Sequence, residues 1–293
     1  MRRRETVIGN GRVRPEASGF ISLRWIKAHH IETFFILAFL ISWSFWIPMI
    51  LRGEESNLLR AAGTFGPLLS ALTVTFGCRG TAGMRKLLSP FRIWRVNPAW
   101  YLFCLLSTAL VVLTALGIYR AFGGQQLVFK DPRRLYLVLP VFLYVLLFSV
   151  LGEETGWRGF ALPRLQDRMG PLPASLVLGL IWGLWHLPLF FIPGNFHQHI
   201  PPVLFILQDV ALSVVFTWLY NGTGGSLLLV HLFHAASNTS LGFLPVLPMD
   251  TGGDLRPLSI TFGLLALFAV GIILSGYPSP SGNRGECSIR RRQ

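Results

Sequence analysis

Apolar blocks of about twenty residues recur along this 293-residue chain. That is the length an α-helix needs to cross the roughly 30 Å hydrocarbon core of a bilayer. Lipid offers no water to backbone polar groups, so only helices and closed barrels can span it. The period-2 alternation of a barrel strand is missing. Hydrophobic residues make up 52% of the chain and charged residues 13%, about half the charged share of a soluble domain. The sequence therefore reads as an all-α, polytopic membrane helix bundle.

Eight spans are expected. They run from Glu32 to Leu51, Asn57 to Gly77, Pro98 to Phe122, and from Arg134 into the stretch around Glu153. The remaining four run from Pro173 to Pro193, Pro201 to Tyr220, Gly224 to Phe243, and Pro257 to Tyr277. Residues 31–277 then form a single transmembrane domain between a basic tail at 1–30 and another at 278–293. Gly63, Gly66 and Pro67 predict close packing and a kink in the second span. Phe20 to Trp25 reads as an interfacial segment, with Trp25 at headgroup level. No cleavage site follows a short apolar stretch near the N-terminus, so the first span is expected to serve as its own insertion signal.

The net charge of +13 raises the question of nucleic acid, and its placement argues against it. Lys and Arg concentrate in the two tails and in the connector holding Arg79, Arg85, Lys86, Arg92 and Arg95. That is a positive-inside pattern, and it predicts cytoplasmic termini in the plasma membrane, with the bilayer rather than nucleic acid as the partner. Cys78, Cys104 and Cys287 show no metal-binding spacing.

Charge inside a span costs a few kcal/mol or more and normally does work there. The stretch Gly152-Glu153-Glu154-Thr155-Gly156-Trp157-Arg158 follows directly on the apolar run from Leu135. Glu154 and Arg158 are i, i+4 and pair on one helix face, whereas Glu153 points about 100° away. One carboxylate is neutralised and its neighbour is left for chemistry.

Five further polar residues fall on later spans. Glu153 lies 16 residues before Met169 and His186 lies 16 after Gly170, so an antiparallel hairpin brings them level unless Pro163 breaks the helix. Trp182 is one turn before His186. His234 and Asn238 share a face at i, i+4, and His231 is read as a bond across a helix interface. Asp209 either orients a histidine or lines a cavity. A carboxylate base for water, histidines to move a proton, and an Asn amide for a developing oxyanion together describe amide hydrolysis without a covalent intermediate. Zinc held by a Glu and two His is the alternative, although no His-Glu-x-x-His is present.

These motifs resemble the CAAX prenyl endopeptidase and bacteriocin-processing (CPBP, or ABI) family of intramembrane proteases. Glu-Glu-x-x-x-Arg is Glu153 to Arg158, Phe-x-x-x-His is Trp182 to His186 with Trp in place of Phe, and His-x-x-x-Asn is His234 to Asn238. The resemblance covers about Leu135 to Leu244. It implies an endopeptidase in which Glu153 activates water, Glu154 and Arg158 support it, and His186, His234 and Asn238 complete the site. It also implies a peptide or protein substrate, possibly prenylated, entering from the membrane, and a metalloprotease label whose metal the motifs do not settle. Against this stand a non-catalytic scaffold or immunity protein and a proton-relay transporter. The transporter is disfavoured by the absence of internal repeats.

Overall fold

The computed structural model describes residues 28–125 and 132–277. The proposed interfacial segment at Phe20 to Trp25, Cys287 and the basic ends of both tails lie outside the described residues. All regular elements among the described residues are helical. In chain order they are α1 (His30–Arg52), α2 (Asn57–Thr64), α3 (Gly66–Leu88), α4 (Pro98–Ala121) and α5 (Val138–Val145). A π-helical turn at Leu146–Val150 leads into α6 (Leu151–Gly156), and a second at Trp157–Ala161 leads into α7 (Leu162–Met169). The chain then forms α8 (Pro171–Trp185), α9 (Pro202–Gly222), α10 (Leu227–Phe243) and α11 (Arg256–Ser275).

Seven helical runs among the described residues are long and apolar enough to cross a membrane. The expected seventh span is the exception. Its helix, α10, has 17 residues, about 26 Å at 1.5 Å per residue. Most of α10 is buried, packed against α4 and α5. A helix shielded by its neighbours does not need a full apolar surface, and this one carries His231, His234 and Asn238 instead.

The second span is broken where its sequence predicts. Phe65 separates α2 from α3, and Pro67 sits in the first turn of α3, where a missing N–H costs nothing. Gly63 and Gly66 allow α1 to approach the joint: a Cβ would fall 2.0 Å from Trp46 Nε1 at the first and 2.0 Å from Ser42 Oγ at the second. The span also runs on to Leu88, eleven residues beyond the expected end at Gly77, through a left-handed residue at Gly80 (φ 59°).

Residues 135–169 form one run. Pro163 does not end it, because Pro163 falls in the first turn of α7 just after the second π turn. The same kink that joins α2 to α3 receives α6. A Cβ at Gly152 would stand 2.4 Å from the Thr64 carbonyl oxygen, and one at Gly156 2.6 Å from the Pro67 carbonyl. Two glycines four apart thus let the Glu-Glu turn lie directly on the α2–α3 backbone, the small-xxx-small contact of membrane helices.

These contacts decide the sign of a helix-propensity change. In an open helix, Gly→Ala gains up to about 1 kcal/mol. Gly156→Ala is expected to destabilise by about 1–3 kcal/mol because the methyl meets backbone that cannot move aside. Gly117→Ala in α4, with nothing within 4 Å of its Cβ, is expected to be neutral or mildly stabilising. Thermal unfolding of the two variants in detergent checks the contrast.

Candidate active site

Four elements converge on a cavity of about 420 Å³ that extends towards the end of the bundle bearing the connectors after α1, α8 and α10. α6 supplies Glu153 and Glu154, and they face different surroundings. Glu154 is fully buried and bonded on both sides: Arg158 Nη1 donates to its Oε1 at 2.8 Å, and His234 Nδ1 lies 2.7 Å from the same oxygen. Arg158 is equally buried, its guanidinium 4.4 Å from the centre of the Trp182 ring and 4.1 Å from that of Phe216. An arginine can stay charged there because carboxylate and ring faces replace water on several sides.

Glu153 lines the cavity. Trp182 Nε1 donates to its Oε2 at 2.9 Å, and Ser149 Oγ lies 3.5 Å from its Oε1. The expected split of the pair, one carboxylate neutralised and one open to the cavity, is thus what the geometry presents. The hairpin register is not quite as expected: the direct bond to Glu153 comes from Trp182, one turn before His186. The two π turns flanking α6 each take up an extra residue, which a register counted at 3.6 residues per turn does not anticipate. α6 also leaves α8 to pack on α3.

The two histidines that line the cavity have their Nδ1 atoms committed. His186 Nδ1 is 2.9 Å from the Trp182 carbonyl oxygen, which can only accept, so that nitrogen carries hydrogen. His234 Nδ1 faces the Glu154 carboxylate and carries hydrogen for the same reason. Nε2 is therefore the ring nitrogen available to the cavity in both. Asn238, half-buried one turn beyond His234, also lines it.

His231 stays out of the cavity. Its Nδ1 lies 2.6 Å from the Leu227 carbonyl and its Nε2 3.3 Å from Thr155 Oγ1, the interface bond expected of it. Asp209 lines the cavity, one of the two roles considered for it, and its Oδ2 is 3.2 Å from His186 Nδ1. His197 is a residue that sequence reasoning missed. It lies in a short turn, Phe196–His199, that folds back so that the ring lines the cavity, stacked 5.9 Å from His186. Burial, with His186 and Arg60 adding to it, holds His197 well below the usual imidazole range, so it is neutral at pH 7. Its place in a loop with no periodicity gave no signal.

The zinc alternative fits poorly. Among the described residues, no three His, Cys, Asp or Glu side chains come together closely enough to hold a metal ion. Glu154, the nearest carboxylate to His234, is already committed to Arg158.

Truncating Arg158 strands a buried carboxylate. Arg158→Ala is expected to cost about 3–5 kcal/mol, whereas Glu154→Gln combined with Arg158→Met is expected to cost clearly less, since no charge is left unpaired. Denaturation in mixed micelles measures both.

Comparison with known proteins bears on the same stretch. Residues 135–240 match the family model for the type II CAAX prenyl endopeptidase, Rce1-like. A curated relative, CAAX prenyl protease 2 of the archaeon Methanococcus maripaludis, is 30% identical over 178 residues, which is 58% of this chain and 63% of the relative. The chain thus spans somewhat less than two thirds of that relative's length. The matched segment contains Glu153, Trp182, His186, His234 and Asn238, which line one cavity, and Arg158, which is buried behind it on Glu154. The 135–240 segment is thus similar to the Rce1-like type II CAAX prenyl endopeptidases.

Proposed function

We propose that this chain is an intramembrane endopeptidase that hydrolyses a peptide bond with water activated by Glu153. The observation that carries the reading is the asymmetry of the two adjacent glutamates: Glu154 is bonded to Arg158 and His234, while Glu153 lines the cavity beside His186. In this scheme the Glu153 carboxylate takes a proton from water as the water oxygen attacks the peptide carbonyl carbon. The Asn238 amide and a protonated histidine donate to the oxyanion that forms. The C–N bond then breaks as the proton passes to the leaving amine, which balances the reaction without a covalent enzyme intermediate.

The cavity walls are mostly apolar, with Leu189, Phe205, Leu212, Leu258, Phe262 and Leu265 among them. Its volume is within the usual range for small-molecule pockets, roughly 300–1,000 Å³. Such a surface suits a lipid-modified segment, in keeping with the prenyl protease named among its relatives. We take the substrate class to be a membrane-associated peptide or protein carrying a prenyl group.

In proteoliposomes, wild type is expected to cleave a farnesylated peptide ending in Cys-aliphatic-aliphatic-X. Glu153→Gln, which keeps the hydrogen bonds but cannot take the proton, is expected to lose about 10²–10⁴ in turnover. A chelator is expected to leave wild type unchanged. Loss with chelator would put a metal in the place of the glutamate base, and equal turnover of both proteins would overturn catalysis at Glu153.

We also propose that both termini are cytoplasmic. Arg79, Arg85, Lys86, Arg92 and Arg95 lie at the same end of the bundle as the start of α1 and the end of α11, and the positive-inside rule favours a cytoplasmic side for that end. The cavity mouth, with Arg60, His197 and Met249 on its wall, then faces the other side. In a background with the native cysteines replaced by serine, Lys86→Cys should react with an impermeant maleimide only after the membrane is opened. Gln198→Cys should react in intact cells, and the reverse pattern would invert the topology.

A further inference from the structure

Asp209 is a carboxylate in the middle of a membrane-spanning helix, 3% exposed, and it belongs to none of the three motifs. Three other acids in the spans have cationic or N–H partners: Glu32 has Arg168, Glu154 has Arg158, and Glu153 has the Trp182 indole. The neighbour of Asp209 is His186, with Oδ2 3.2 Å from Nδ1. The approach is built into the backbone. α8 and α9 touch through two glycines, where a Cβ would fall 2.6 Å from Val210 Cα at Gly179 and 3.0 Å from Ile206 Cα at Gly183. Only with the helices that close can a side chain as short as aspartate reach a histidine on the facing helix.

The hydrogen on His186 Nδ1 already has an acceptor in the Trp182 carbonyl. A second neutral acceptor would add little to that. What a carboxylate adds is negative charge, kept at the cost of desolvating it inside the bilayer. Charge at that position matters only when the ring becomes positive, as an imidazole does when it takes up a proton during turnover; in serine hydrolases an aspartate on the far nitrogen of a histidine has this effect.

We propose that Asp209 is a positioning residue for His186: it holds the ring with Nε2 towards the cavity and offsets the charge the ring acquires during hydrolysis. The role of His186 in the hydrolytic site is the premise.

The test is a double-substitution cycle between His186→Ala and Asp209→Ala in proteoliposomes, with Glu153→Gln alongside and thermal unfolding measured on every protein. On the farnesylated peptide, Asp209→Ala is expected to lower kcat by about 10²-fold and Asp209→Asn by less. KM should stay within about twofold, and the double variant should be no slower than His186→Ala within about twofold. The melting temperature of Asp209→Ala should match or exceed that of wild type, because a desolvated charge has gone. His186→Ala should lower it in the wild-type background and not in the Asp209→Ala background.

Additive losses of kcat, or kcat and melting temperature falling together in Asp209→Ala, would reduce Asp209 to a structural residue and overturn the proposal. So would full activity of Asp209→Ala beside an inactive Glu153→Gln. An active Glu153→Gln, or a wild type that leaves the peptide intact, would instead count against the hydrolytic reading. The thermal cycle judges the Asp209–His186 pair in that case too, and additive melting temperatures would overturn it.

Discussion

The buried ion pair between Glu154 and Arg158 is the interaction on which the rest of this bundle depends. Two full charges at 0% exposure cannot be carried by lipid, so everything within reach is arranged to replace their lost hydration. Trp182 and Phe216 present ring faces to the guanidinium, and His234 puts an N–H on the carboxylate. Those three residues come from α8, α9 and α10, so the pair, set in α6 and the π turn after it, gathers three further helices. Trp182 then turns its own N–H to Glu153. The indole links the neutralised carboxylate to the open one, and the two glutamates acquire different surroundings although they are adjacent in the chain.

Close helix approach is the second condition, and it is met by glycine. Gly152 and Gly156 lay α6 on the α2–α3 kink, while Gly179 and Gly183 draw α8 onto α9. Lipid supplies little hydrophobic drive between helices, so packing of small residues and hydrogen bonds across interfaces must hold them. The same pairs of glycines that supply the packing set the depth at which Glu153, His186 and Asp209 meet. Stability of the bundle and geometry of the site are therefore coupled at those four positions.

What the sequence made legible follows from which forces are local. Span positions were readable because lipid imposes a length and a composition on each, and most of the observed helices begin and end within a few residues of expectation. The Glu154–Arg158 pair was readable because i, i+4 is fixed by the helix itself. The break at Phe65 was readable from Gly63, Gly66 and Pro67. The meeting of Trp182 with Glu153 was not, since two π turns shift the register and hydropathy carries no trace of them. His197 was illegible for a different reason: its position comes from a short turn folding back over the bundle, a tertiary event. Asp209 fell between, visible as an expensive charge but without a partner until the α8–α9 approach was known.

The tryptophan at 182 shows how far a motif can mislead by being satisfied. Treated as an aromatic in place of the usual Phe, it is a conservative change that preserves a ring beside Arg158. The ring does make that contact, but phenylalanine could not make the 2.9 Å bond to Glu153. The bond fixes the rotamer of the Glu153 carboxylate. It engages Oε2, while Oε1 lies 3.5 Å from Ser149 Oγ. The substitution therefore holds Glu153 from one side, in the wall of the cavity that His186, His234 and Asn238 also line.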